Sequence, residues 1–311
     1  MSVEEDLDLI DAVIYGDAFD CAVTFDEIWR YSRIPITRAQ LRDRLQQPML
    51  NTLVGERDGY YFLNGREHLA DRRKDRLIRA QRLKKRARHV ARMLQHFPFV
   101  RGIVLTGSVA VDDAEADADV DMLIIVAEGR IGLSFLLLAT LSRLLSRQVF
   151  CPNYYMSQAH LSVSRQDRYV ARELVQAEPL TSQAGALLAA NPWAHEHLPN
   201  SSLTTHPVNL LPGGALLQRI LELPFSGQVG ARCERKARNI VERRLRAHHG
   251  AFQLQVPEEV RRRFELGIEL RFHGAPRVND CVERYDRNRT ELAHRMREAR
   301  PTEIISQRTD G

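Results

Sequence analysis

Asp119 and Asp121 stand two residues apart at the head of an apolar run, residues 120–126. In a strand, residues two apart point to one face, so both carboxylates share a side while Val120 and Met122 enter a core. Two carboxylates side by side at a strand mouth are hard oxygen ligands suited to Mg²⁺ or Mn²⁺. Gly107 and Ser108 lie just upstream, where an earlier apolar run gives way to a short helical pattern. Glycine permits close backbone approach there, a helix N-terminus favours phosphate, and the Ser108 hydroxyl adds a donor. A phosphate cradle and a metal-binding pair, joined by the ten residues 109–118, are the parts that phosphoryl chemistry needs.

The connection between them is itself a puzzle. Asp112, Asp113, Glu115, Asp117, Asp119 and Asp121 follow one another with no base among them. Close acids repel, so a sequence keeps them together where they are solvated or where a cation neutralises them. A calcium loop of EF-hand type starting at Asp113 would need Gly at its sixth position and Glu at its twelfth; the chain has Ala118 and Ile124. Starting at Asp117 puts Met122 at the sixth. A solvated loop accounts for residues 112–117 but not for two carboxylates on one face of an apolar strand.

Elements to position these groups are legible on either side. Residues 99–105 predict a strand, Gly107 and Ser108 a turn, and Val109 onward a short helix. A second strand is expected at 120–126, a helix at 131–146 and a third strand at 148–155. Helices follow at 168–177, 182–190, 215–223, 229–248 and 278–298, with a short strand at 268–272 and a polar, frayed tail from Pro301.

Upstream, residues 66–96 predict one long helix, with Leu69, Leu77, Ala80, Leu83, Ala87, Val90 and Leu94 forming a stripe. Residues 66–92 hold twelve Lys or Arg against three Asp or Glu, a net +9 that exceeds the +5 of the whole chain. A polyanion partner explains this, and so does a solvated face whose arginines lie over apolar surface. No aromatics interleave the bases, so base stacking is not indicated.

Residues 1–65 predict a small helical unit ending in a hairpin. Leu7, Ile10, Val13 and Ile14 share a helical face. Thr24 with Glu27, and Thr37 with Gln40, fit capping boxes that open two further helices. Asp58-Gly59 is a hairpin turn between residues 53–54 and 60–63. Three helices and a hairpin is the winged-helix order. The third helix carries Arg38, Arg42 and Arg44, which would suit DNA, although a packing or partner-docking module has the same pattern.

Composition bounds the rest. The chain has 311 residues, 44% hydrophobic and 27% charged, as in a globular protein of about two domains. Cys21, Cys151, Cys233 and Cys281 are far apart, which argues against a cysteine-only zinc site and fits a reducing, cytoplasmic setting. The acidic N-terminus lacks a signal-peptide pattern, and the most apolar run, 131–145, is too short and interrupted to span a bilayer, so no membrane partner is expected.

Gly107-Ser108, ten residues, then Asp119-Val120-Asp121-Met122 resembles the signature of the DNA polymerase β-type nucleotidyltransferase superfamily. The wider chain is similar to a group of bacterial nucleotidyltransferase-domain proteins. The similar pieces are residues 58–63, 98–102, 151–155, 171–173, 190–193, 198–200 and 271–273. The resemblance implies transfer of an NMP from an NTP, with Asp119 and Asp121 holding the metal and Gly107 and Ser108 holding phosphates. It does not supply the acceptor, which is a small molecule, an RNA end or a protein side chain.

Active members place a third carboxylate near the pair, but residues 148–155 contain no acid. Asn153 can coordinate through its carbonyl oxygen without accepting a proton. Glu173 is the nearest substitute, on an apolar helix face; a surface pair with Arg172 or Arg168 would explain it equally. Asn191 and Trp193 can rim a pocket or pack as caps, and His273 after a strand can face the cleft or be structural. The expected architecture is α/β (α+β). A winged-helix-like unit at 1–65 and a basic linker helix at 66–97 precede a small mixed-sheet nucleotidyltransferase core at 98–200. A helical region at 201–300 and the tail at 301–311 follow. The alternative is a nucleotide- or nucleic-acid-binding protein with an inactive transferase core.

Overall fold

The computed structural model describes residues 2–144, 149–201, 214–252, 258–271 and 276–299. His273, the tail from Pro301, and the expected helix end at Ser146 and strand start at Gln148 lie outside them. The fold is mixed α/β with two separate sheets, and the chain gathers into two compact units.

The first unit comprises residues 1–72, 198–200 and 276–311. It opens with α1 (Val3–Leu9) and α2 (Asp11–Ala18), then β1 (Val23–Thr24), α3 (Phe25–Tyr31), α4 (Arg38–Leu45), α5 (Pro48–Asn51), β2 (Val54–Arg57) and β3 (Tyr60–Leu63). Leu7, Ile10, Val13 and Ile14 are all buried, although the helix breaks at Ile10. Both expected capping boxes form: Thr24 and Glu27 open α3, Thr37 and Gln40 open α4. A third, Ser2 with Glu5, opens α1. Asp58 (φ 55) and Gly59 (φ 80) make the tight turn between β2 and β3, where two left-handed residues match the strand twist. β1 pairs antiparallel with β3, giving sheet order β1-β3-β2.

The remote segments join this unit through polar ties. Asn200 accepts from the Ile36 N–H at 3.1 Å and donates to the Ile34 carbonyl at 2.8 Å. The helix Pro276–Ala299 brings Arg284 to Asp20 and Arg289 to Asp8, and the Tyr285 hydroxyl donates to Asp11 at 2.5 Å. Asp8 of α1, Asp11 of α2 and Asp20 just beyond it thus meet polar side chains of the helix Pro276–Ala299. Each compact unit gathers segments that are remote in the chain.

The second unit holds residues 73–197 and 201–275. Most of α6 (His68–Leu94) belongs to it. Then come β4 (Val100–Leu105), α7 (Gly107–Ala110), β5 (Asp121–Val126), α8 (Ile131–Leu144), β6 (Cys151–Ser157), α9 (Arg168–Gln176), β7 (Glu178–Pro179), α10 (Gly185–Ala189) and α11 (Ala194–His197). After these follow α12 (Gly214–Glu222), α13 (Gly227–Phe252), α14 (Glu258–Glu265) and β8 (Glu269–Arg271). The sheet runs β7-β4-β5-β6-β8, with β5 and β6 parallel and the other pairs antiparallel. The strand expected at 268–272 forms as β8, between two C-terminal helices, and is an edge of this sheet.

One buried cluster joins the sheet to its helices. Val120, Met122, Ile124 and Val126 of the β5 run pack with Ala80, Ala87, Val90 and Leu94 of α6 and Ile131 and Leu138 of α8. Among the described residues no helix is long and apolar enough to cross a membrane.

Candidate functional site

The acidic connection is held from one side by the basic helix. Arg76, only 5% exposed, donates to Asp113 at 2.9 Å and to Glu115 at 2.6 Å. Lys84 pairs with Asp112 at 2.9 Å. Arg73, 4% exposed, donates to the Val111 carbonyl at 2.8 Å, and Arg79 to the Ala114 carbonyl at 2.9 Å. Side chains of the same helix therefore neutralise the first acids of the stretch. Arg73, Arg76 and Lys84 of the +9 helix and Asp112, Asp113 and Glu115 of the acid run form one ionic match, so part of the helix charge is tied up internally.

A signal for this match is present in the spacing. Positions 69, 73, 76, 80, 83, 87, 90 and 94 alternate steps of four and three, the seam of a helix that buries one stripe. Arg73 and Arg76 occupy that seam beside Leu69 and Ala80. Bases in stripe positions must find anions, because burying a lone charge is prohibitive.

With residues 111–115 fixed, the chain returns to β5. The Asp113 N–H donates to the Ser108 carbonyl at 2.9 Å, and the Thr106 N–H donates to the Asp121 carbonyl at 3.0 Å. Val120 and Met122 are fully buried, whereas Asp119 and Asp121 are half-buried. Asp121 begins the strand and Asp119 lies just ahead of it.

Gly107 has φ +69, and a Cβ built on it would lie 2.6 Å from Asp121 Oδ2. The turn at Gly107 and the carboxylate of Asp121 are therefore in contact, and a side chain at 107 would separate them. Ser108 is exposed beside it. α7 is a single turn, so its dipole contributes less than that of a full helix.

Asn153 joins them from β6. The register pairs Met122 with Pro152 and then Leu123 with Tyr154, so Asn153 bulges out of the ladder. Bulges re-aim a side chain; here the Asn153 amide donates to Asp121 Oδ1 at 2.8 Å. Tyr155, two residues on, is buried, and desolvation pushes its phenol well above its ordinary 10. It is therefore no proton carrier near neutral pH.

Glu173 is half-buried on α9, a helix that packs against α11. Among the described residues no group of three or more His, Cys, Asp or Glu side chains is gathered for a metal ion. Glu178 escaped sequence reading because its strand is two residues long. It stands opposite Leu105, at the end of β4, and takes Arg88 at 2.6 Å and Lys84 at 3.5 Å. Asn191 is a structural hub: it accepts from Val163 N–H at 2.8 Å and Trp193 Nε1 at 3.1 Å, and donates to the Leu161 and Leu187 carbonyls.

Gly107 and Asn153 thus each meet Asp121, Ser108 and Asp119 flank Gly107 and Asp121 in the chain, and Glu173 sits on α9, which packs against α11. Comparison with protein-family models finds no match, and comparisons with curated proteins and with solved structures find none either.

Proposed function

We propose that the second unit is a metal-dependent nucleotidyltransferase that binds a nucleoside triphosphate at Gly107, Ser108, Asp119 and Asp121. It would transfer the nucleotidyl group to an acceptor and release pyrophosphate. The observation that carries this reading is the contact between Gly107 and Asp121, which brings a glycine turn against the Asp121 carboxylate.

The donor set fits Mg²⁺ or Mn²⁺: two half-buried carboxylates, hard oxygen ligands, at a strand mouth. When bound, such a cation supplies charge stabilisation to phosphate oxygens. The chain's own groups would do the rest. The turn at Gly107 and the Ser108 hydroxyl would donate to the terminal phosphates. Asn153 orients the Asp121 carboxylate through its amide. The buried neighbours Val120 and Met122 hold the strand in place behind the pair. Attack would be in line on the α-phosphate, by an acceptor from a small molecule, an RNA end or a protein side chain.

A second reading, nucleotide binding without turnover, is favoured by Asn153. It occupies the third strand, where active members of the superfamily that the motif resembles carry an acid. The order of elements in the first unit supports reading it as winged-helix-like. Its Arg38 contacts Asp26 and lies over Trp29, Arg42 lies over Phe25, and Arg44 pairs with Asp6. Those ties favour a packing or partner-docking role over reading DNA. Pyrophosphate release assayed beside nucleotide binding separates turnover from binding alone. Metal-dependent binding with release supports the transferase, and binding without release supports the second reading.

A further inference from the structure

The strongest unexplained surface is α12 with the turn that follows it, residues 223–225. Its polar side faces the protein. Gln218 Nε2 donates to the carbonyls of Phe97 at 2.9 Å and Val100 at 2.6 Å. The Glu222 carboxylate accepts from the Phe99 N–H at 2.7 Å and from Arg101 at 2.8 and 2.9 Å. On the other side Leu216 (64% exposed), Leu217 (50%), Ile220 (52%), Leu221 (42%) and Leu223 (66%) face outward. A helix that turns its polar stripe inward and exposes its apolar one has, among the described residues, no cover on the apolar side.

We infer that the partner is a second copy of this chain, with α12 packed antiparallel on α12 about a two-fold axis at Ile220. An isologous interface needs a self-complementary patch. The spacing provides one: Leu217 and Leu223 lie three residues on either side of Ile220, so the axis sets each against the other of the second copy. Area agrees. Five half-exposed side chains present roughly 500 Å² of apolar surface, at the upper end of what a monomer leaves open. Two copies would bury about 1,000 Å², the lower bound for a specific interface. A membrane-lying helix would instead be rich in bases along its polar edge; here the exposed charge on α12 is Arg219, and Gln218 and Glu222 are tied inward.

The test is the mass of the full chain in solution by light scattering, from micromolar to sub-millimolar concentration. The wild type is expected at twice the chain mass. Ile220→Glu and Leu217→Asp are expected at the single-chain mass with unchanged circular dichroism, because both side chains are exposed in the single chain. Ile78→Glu, an equally exposed change on α6, is expected to keep the doubled mass. A wild type that stays at the single-chain mass throughout overturns the inference, as does a doubled mass that survives both α12 variants. Single-chain wild type that sediments with anionic vesicles, and loses this in Ile220→Glu, overturns it in favour of a lipid surface.

Discussion

The Asn153 amide reaches Asp121 at 2.8 Å from the one residue that bulges between β5 and β6. Asn153→Asp replaces a donor with a second carboxylate at hydrogen-bond distance. Without a divalent cation the variant is expected to lose about 1–3 kcal/mol of stability, since Asp121 loses a partner and gains a like charge. Added Mg²⁺ should restore more stability to the variant than to the wild type. Thermal unfolding with and without Mg²⁺ measures this, and equal Mg²⁺ effects on both proteins would contradict it.

Gly107→Ala introduces a methyl group into the contact with Asp121 Oδ2 and forces an L-residue to hold φ +69. The left-handed conformation alone costs about 1–2 kcal/mol. Nucleotide binding should weaken alongside stability because the carboxylate must move. Ser108→Ala, exposed and free of that strain, should weaken nucleotide binding while leaving the melting temperature unchanged. Titration calorimetry paired with thermal unfolding separates the two variants.

Arg76 and Asp113 are the centre of the ionic match between α6 and the acidic connection. Arg76→Met removes the shorter of the two ion pairs to the buried Asp113, leaving Arg73 at 4.0 Å, and is expected to cost up to about 3–5 kcal/mol. Adding Asp113→Leu should recover much of that loss, because a buried pair replaced by apolar groups is often neutral. Urea unfolding of the single and double variants decides it; a double variant as weak as Arg76→Met would place the energy elsewhere.

The same match limits any polyanion contact. Arg66, Arg73, Arg76, Arg79, Lys84 and Arg88 already have acceptors within the chain. Heparin or RNA should therefore bind with a shallow salt dependence, well short of the log–log slope of about 8 that nine free charges would give. A slope near that value would show that these ion pairs open in solution.

In the first unit, the hydrogen bond from Arg284 holds the Asp20 carboxyl at about 2 against its ordinary 3.8. The folded value lies below the unfolded one, so the contribution is complete above the unfolded value and is lost as pH falls through the folded one. Arg284→Met should raise the Asp20 value towards 3.8 and flatten that part of the acid dependence. Solvent screening at this half-exposed site keeps the effect small. Carboxyl titration by NMR gives the value directly, and an unmoved Asp20 would contradict the assignment.

Local rules made much of this fold legible. The boxes at Thr24 and Thr37, the Asp58-Gly59 turn and the carboxylates ahead of β5 each depend on a few adjacent residues. What was not legible is non-local. β1 and β7 are two residues long, too short to show alternation, and exist because β3 and β4 pair with them. The helix Pro276–Ala299 joins the first unit through Asp8, Asp11 and Asp20, a pairing across the length of the chain. Arg73 and Arg76 were readable as charges but not as buried ones until their seam positions met the acids of 112–115. Asn153 was found as a residue without an acid's chemistry, but its reach to Asp121 depends on a bulge that no local pattern marks.

The central claim is that Asp119 and Asp121 form a cation-dependent nucleotide site. Calorimetry of each NTP against wild type, Asp119→Asn and Asp121→Asn, with and without Mg²⁺, tests it most directly. Mg²⁺-dependent binding is expected in the wild type and lost in both variants, whose melting temperatures stay close to it because the two side chains are half-buried carboxylates rather than packed apolar groups. Mg²⁺-dependent binding that persists in both variants, or a wild type that binds no NTP with Mg²⁺, would contradict it.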